Sequence, residues 1–160
     1  MATILIIDDD QQICEVLEAF IRREGHRSLS RQTLTEGLQQ LESAAFDLVF
    51  LDVGLPDGSG LELVRRIRST PGEPEVVIIT GAGDADGAEM AIKNGAWDYL
   101  QKPFNLKEIT LTLSRALQYR ENLKASALKE SPVDSQGIIG SSPVIHDCLT
   151  TLAHAARNNA

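Results

Sequence analysis

The chain holds two cysteines, Cys14 and Cys148, far apart along its length. That excludes a disulfide framework and a thiolate zinc site. Three histidines, His26, His146 and His154, are too dispersed to build an imidazole metal centre. Basic residues are the minority: 15 Lys and Arg stand against 23 Asp and Glu, a formal net charge of −8. Gripping nucleic acid needs clustered Lys and Arg, so no DNA binding is expected of this segment. The apolar runs are about four to six residues, far short of the roughly 20 that a membrane-spanning helix needs. The N-terminus, Met-Ala-Thr-Ile-Leu-Ile-Ile, has no basic flank and no long apolar stretch. Neither a membrane span nor a secretory signal is expected, and the cytoplasm is the default compartment. A G-x-x-x-x-G-K-[ST] phosphate loop is absent, and Gly58-Ser59-Gly60 does not make a G-x-S-x-G nucleophile elbow.

What is present is a rhythm. Ile4-Leu5-Ile6-Ile7 reads as a buried strand. Ile13, Val16, Leu17, Phe20 and Ile21 then fall on one face of a helix that Gly25 stops. A weaker strand over residues 26–30 suits a sheet edge. Leu34, Leu38 and Leu41 mark the second helix, residues 47–51 the third strand, and Leu61, Val64 and Ile67 the third helix. Residues 76–79 form the fourth strand, and residues 85–94 a helix with a poor face of Ala88, Ala91 and Ile92. Residues 97–100 are the last strand, and a long helix starts near Asn105. Strands alternating with helices across short connections imply a parallel sheet covered on both faces. The expected fold is α/β, a doubly wound five-stranded parallel sheet of order 2-1-3-4-5, with a C-terminal helical extension.

In such a sheet, ligands sit beyond the carboxyl ends of the strands. The first strand runs into Asp8-Asp9-Asp10, the third into Asp52, the fourth ends at Thr80, and Lys102-Pro103 follows the fifth. Asp10 reads as the N-cap of the first helix. Asp8, Asp9 and Asp52 are brought to one edge. Two like charges about 4 Å apart repel by roughly 4 kcal/mol at an effective dielectric of 20. A hard divalent cation such as Mg²⁺, with the Lys102 ammonium, would compensate them. A carboxylate so placed can attack phosphorus and form an aspartyl phosphate, with Thr80 and Lys102 binding phosphoryl oxygens.

Ile6-Ile7-Asp8-Asp9-Asp10, the stretch from Leu51 to Gly60, Ile79-Thr80-Gly81, and the stretch from Asp98 to Phe104 resemble the receiver domain of two-component response regulators, a flavodoxin-like fold. The likeness runs over about residues 3–120, with matching spacings. It implies Asp52 as the phosphoacceptor for a sensor histidine kinase. It further implies Asp9, Asp52 and the Gly54 carbonyl as Mg²⁺ ligands, with Asp8 acting through water. Thr80 and Tyr99 would be the switch pair, and the Lys102-Pro103 bond would be cis. Gly54 departs from the many receivers that carry a side chain there, which a backbone ligand tolerates. The helix at 85–94, with Gly83 and Gly87 near its start and little apolar area, would be the element that moves.

The chain continues past a receiver's end. A helix from Asn105 to Lys129 would be roughly 37 Å long, about twice what packing on the sheet needs. Leu106, Ile109, Leu113 and Leu117 make its sheet-facing stripe. Beyond them, Leu123 and Leu128 lie among Arg120, Glu121, Lys124 and Lys129, suited to a two-helix homodimer linker or to a solvated overhang. Residues 138–160 resemble the opening of the AAA+ domain of NtrC-type sigma-54-dependent transcriptional activators, with Ser142-Pro143 starting a helix. The expected division is a receiver over 1–122, a helical linker over 123–137 and an AAA+ fragment over 138–160. Contact with DNA or sigma-54 RNA polymerase would need other domains. Two other classes use similar residues. A haloacid-dehalogenase phosphatase would place a second Asp where Gly54 stands, and Gly54 cannot transfer a proton. A receiver fold used only for dimerisation would not need the acidic pocket. A flavodoxin-like phosphate binder would be repelled by the three acids.

Overall fold

The structure, a computed structural model, describes residues 1–81 and 85–129. The elements run β1 (Thr3–Ile7), α1 (Gln11–Arg23), β2 (Arg27–Arg31), α2 (Leu34–Ser43), β3 (Leu48–Asp52), β4 (Gly54–Leu55), β5 (Gly58–Ser59), α3 (Gly60–Arg68), β6 (Glu75–Thr80), α4 (Ala85–Lys93), β7 (Asp98–Gln101) and α5 (Leu106–Lys129). The main sheet has the order β2-β1-β3-β6-β7, and every pairing in it is parallel. Counting only its own strands, that is the expected 2-1-3-4-5. The β4–β5 hairpin is additional. Two-residue strands are too short to carry a period, so the sequence pattern does not reveal them.

Strands β3 and β6 are buried at every residue, as central strands covered on both faces must be. β2 is only partly buried and lies at the edge, as its composition suggests. Alternation within the strands sorts the core into two layers. Ile4, Ile6, Phe50, Val77 and Ile79 pack with Leu17 and Ile21 of α1 and with Ile109 and Leu113 of α5. Leu5, Ile7, Val49, Leu51, Val76 and Ile78 pack with Leu41, Val64, Ile67 and Ala91 from α2, α3 and α4. No helix among the described residues is long and apolar enough to cross a membrane.

Three expected core positions face out. Val16 is 50% exposed, and Cys14 takes its place in the buried face of α1. Leu106 is half exposed at the first turn of α5, before that helix reaches the sheet. Ile92 is exposed while Ala91 is fully buried, and Ala91 is the one buried residue among the described side chains of α4.

The largest departure concerns Arg120. The sequence pattern places it past the sheet-facing stripe, on a dimer linker or a solvated overhang, yet it is buried. Its Nε donates to Asp47 Oδ1 at 3.0 Å, Nη1 to the Glu73 carbonyl at 2.6 Å, and Nη2 to the carbonyls of Gly72 and Phe46. Lys124 Nζ reaches the same Asp47 oxygen at 2.8 Å, and the Thr3 amide donates to Asp47 Oδ2 at 2.9 Å. Burial raises the Asp47 pKa, but these donors outweigh it and hold the carboxyl down at about 2. This clasp fastens α5 to the amino-terminal end of the sheet. The expected segments over residues 130–160, with the Ser142-Pro143 helix, lie outside the described residues, as does Gly83.

Candidate functional site

The strand ends converge as the sequence suggests. Asp8 follows β1 and is completely buried; its backbone N–H donates to the Arg31 carbonyl at 3.1 Å, which fixes it beside β2. Asp8 Oδ1 accepts from the Asp10 amide at 2.9 Å. Asp10 itself caps α1, its Oδ1 accepting from the Gln12 amide at 2.9 Å and the Ile13 amide at 3.4 Å. Asp52, the last residue of β3, is buried. Its Oδ2 accepts from the Gly54 amide at 2.8 Å and its Oδ1 from Lys102 Nζ at 2.9 Å. Asp9 is exposed, and one carboxylate oxygen from each of Asp8, Asp9 and Asp52 lies within 4.8 Å of the others.

Lys102 is held by its own backbone, whose N–H donates to the Thr80 carbonyl at 2.7 Å, and the following Lys102-Pro103 bond is cis. Its Nζ also lies 2.9 Å from Asp8 Oδ2 as an ion pair. That contact is not aligned as a hydrogen bond, so the buried Asp8 Oδ2 has no hydrogen-bond donor. Burial raises the Asp8 pKa, and the Asp52 charge adds to it against the pull of the Asp10 amide and Lys102. Burial alone would lower the Lys102 pKa; Asp52 and Asp8 outweigh it and raise the ammonium above its ordinary value. Behind the cluster, Cys14 Sγ donates to the Asp8 carbonyl at 3.3 Å. Burial and the nearby Asp8 push its thiol up to about 11, so it stays protonated and inert.

One ammonium thus pairs with two of three clustered carboxylates, and a buried carboxylate oxygen lacks a donor. All the donors are hard oxygens. The set fits a hard divalent cation and suits neither zinc nor copper. Thr80, at the end of β6, is almost fully buried at the same edge. Tyr99, on β7, is 44% exposed and lines a separate surface groove with Gln101, Leu111 and Arg115. Gly54 is exposed and begins the β4–β5 hairpin. A Cβ on Gly60, at the far end of that loop, would collide with the Asp52 carbonyl, so the loop closes tightly on the site. Asp57, in the turn of the hairpin, carries hydrogen bonds that no sequence motif announces.

A buried aspartate at the switch edge of a parallel sheet, paired with a lysine and flanked by two further acids, defines an α/β module with an acidic site at the carboxyl ends of its strands. Residues 4–114 match the response regulator receiver domain, and the chain belongs to that family. It is 36% identical over 156 residues to the response regulator protein PilR of Pseudomonas aeruginosa, covering 98% of this chain and 34% of PilR. It is 32% identical over 157 residues to the transcriptional regulatory protein ZraR of Klebsiella oxytoca, covering 98% of this chain and 35% of ZraR. The chain therefore spans about a third of the length of these curated relatives. NtrX from Brucella abortus, solved in complex with ADP, superposes with a TM-score of 0.76 at 28% identity, over 97% of this chain and 34% of NtrX. The beryllofluoride-activated NtrC4 receiver domain dimer gives 0.70 at 33% identity, over 75% of this chain and 99% of that domain.

Proposed function

We propose that this chain accepts a phosphoryl group on Asp52 from the phosphohistidine of a sensor histidine kinase. The observation that carries this reading is the Asp52 carboxylate, held between Lys102 Nζ at 2.9 Å and the Gly54 amide at 2.8 Å. An Asp52 oxygen attacks phosphorus and a P–O bond forms. The P–N bond breaks, and its electron pair stays on the imidazole nitrogen, which takes up a proton. Lys102 and Thr80 stand at the same edge to bind phosphoryl oxygens. Asp9, Asp52 and the Gly54 carbonyl would hold Mg²⁺, with Asp8 acting through water. When bound, Mg²⁺ offsets the charge of the carboxylates and of the transferring group. A shallow apolar groove of Ile13, Val16, Pro103 and Phe104 lies beside Lys102 and suits the approach of the donor protein.

Phosphorylation replaces one negative charge with roughly two and adds three acceptor oxygens. Thr80 is then drawn toward the phosphoryl group and Tyr99 turns inward, shifting α4. The module is a signalling domain, not a turnover enzyme: Gly54 offers no acid for a phosphatase cycle. We read residues 1–122 as the receiver, 123–137 as a helical linker and 138–160 as the start of an AAA+ domain. The likeness along almost the whole chain to PilR, a response regulator protein, and ZraR, a transcriptional regulatory protein, supports a role in transcription regulation, which we read as that of a sigma-54-dependent activator working in the cytoplasm. DNA and sigma-54 RNA polymerase would be met by other domains, and α5 offers a homodimer seam. Acetyl phosphate tests the core of this reading: with Mg²⁺ it labels the wild type and leaves Asp52→Asn unlabelled.

A further inference from the structure

We propose that Asp57 is a positioning residue for the phosphoacceptor loop: its carboxylate clamps the β4–β5 hairpin to the N-terminus of α2 and so holds Gly54 against Asp52. This rests on the reading of Asp52 as phosphoacceptor and Gly54 as cation ligand. Asp57 Oδ1 accepts from the Leu34 amide at 2.8 Å. Its Oδ2 accepts from the Thr35 amide at 2.9 Å and from Thr35 Oγ1 at 2.8 Å. The first amides of a helix have no partner within it, and α2's own cap, Thr33, takes only the Glu36 amide, at 3.2 Å. Asp57 thus supplies a second cap from another part of the chain. A negative charge is favoured there by the helix dipole, and hydrogen bonds to a carboxylate are stronger than neutral ones. The Leu34 and Thr35 donors hold the Asp57 carboxyl below the usual range.

The hairpin needs such a hold. It pairs only Gly54 with Ser59 and Leu55 with Gly58, and a two-stranded ribbon of that size is not stable by itself. Two of its four strand residues are glycines, which leave the backbone loose. Leu55 is buried and Gly60 closes against Asp52, but the turn projects toward solvent, and Asp57 is what ties it down. At the other end of the same hairpin the Gly54 amide donates to Asp52 Oδ2. A physical path therefore runs from α2 through Asp57 and the hairpin to the phosphoacceptor carboxylate. A helix cap alone would stabilise α2 and leave Gly54 unaffected.

The test uses the full chain and three variants: Asp57→Ala, Asp57→Asn and Gln39→Gly. Gln39 is exposed in the middle of α2, so Gln39→Gly weakens the helix while leaving Leu34, Thr35 and the hairpin in place. Amide exchange at Gly54 is measured by NMR without metal, and Mg²⁺ is then titrated on the Gly54 amide shift. Asp57→Ala is expected to speed Gly54 exchange about five- to tenfold, the factor a lost hydrogen bond is worth, and to weaken Mg²⁺ several-fold. Asp57→Asn, with one acceptor oxygen left, falls between Asp57→Ala and wild type. Gln39→Gly lowers helix stability yet leaves both readouts within about twofold, because local opening in the middle of α2 does not reach the loop. Equal effects of Asp57→Ala and Gln39→Gly, or an unchanged Gly54 amide in Asp57→Ala, would overturn the clamp. A wild type that binds no Mg²⁺ would instead strike down the cation reading, and Gly54 exchange alone would then decide the clamp.

Discussion

Lys102 Nζ sits 2.9 Å from both Asp8 Oδ2 and Asp52 Oδ1, so it occupies oxygens that a divalent cation needs. On the proposed reading its ammonium would be at once a partner for the phosphoryl group and a competitor for the metal. Lys102→Met should therefore bind Mg²⁺ several-fold more tightly than wild type while its labelling by acetyl phosphate falls at least about tenfold. A Mg²⁺ titration beside a labelling time course checks both; weaker Mg²⁺ binding would refute the competition. Thr80 acts later. Thr80→Ala should keep Mg²⁺ binding within about twofold, because its carbonyl still holds the Lys102 amide. It should also abolish the change at Tyr99 on beryllofluoride addition, read by fluorine NMR of fluorotyrosine-labelled protein. A Tyr99 response equal to wild type would remove Thr80 from the switch. Asp8, Asp52, Thr80 and Lys102 were legible in the sequence because each ends or follows a strand, and a parallel sheet gathers such ends. Asp57 was not, since its partners lie at the start of α2 and no period or motif links the two.

At the scale of elements, α5 joins a legible part to a hidden one. Ile109 and Leu113 follow the helical period and pack on the sheet as expected. Arg120 breaks that logic, because periodicity registers apolar residues and says nothing of a cation buried by hydrogen bonds to carbonyls. Its bonds to Asp47 and to the carbonyls of Glu73, Gly72 and Phe46 close the amino-terminal end of the sheet. Arg120→Ala strands those acceptors and should cost about 2–4 kcal/mol in urea unfolding. Asp47 gives the pH signature. Its folded pKa of about 2 lies below the unfolded value of about 3.9, so its stabilisation is fully present above the unfolded pKa. That contribution is lost as pH falls through the folded value. The stability gap between wild type and Asp47→Asn should hold from pH 7 to about pH 5 and close toward pH 2. A gap independent of pH would contradict the clasp. The β4–β5 hairpin stayed invisible for a different reason: two-residue strands have no pattern to read.

For the molecule as a whole, the alternation of strands and helices sufficed to place the sheet order, and hence the edge where the acids meet. The excess of acid over base, a net −8, has part of its meaning there: three carboxylates share one small volume at the end of the central strands. The clasp closes one end of the sheet and the hairpin lies at the other, while among the described side chains of α4 only Ala91 is buried. On the proposed reading, a charge added at Asp52 would shift this helix without loosening the core. Everything in that sequence of events depends on the phosphoryl group arriving at Asp52. The direct measurement is intact-mass and peptide mapping of the chain after acetyl phosphate treatment, with Mg²⁺ and again with chelator. One phosphoryl group on the Asp52 peptide, lost in Asp52→Asn and in chelator, is the expected result. Equal labelling of Asp52→Asn, or a label that maps elsewhere, would contradict it.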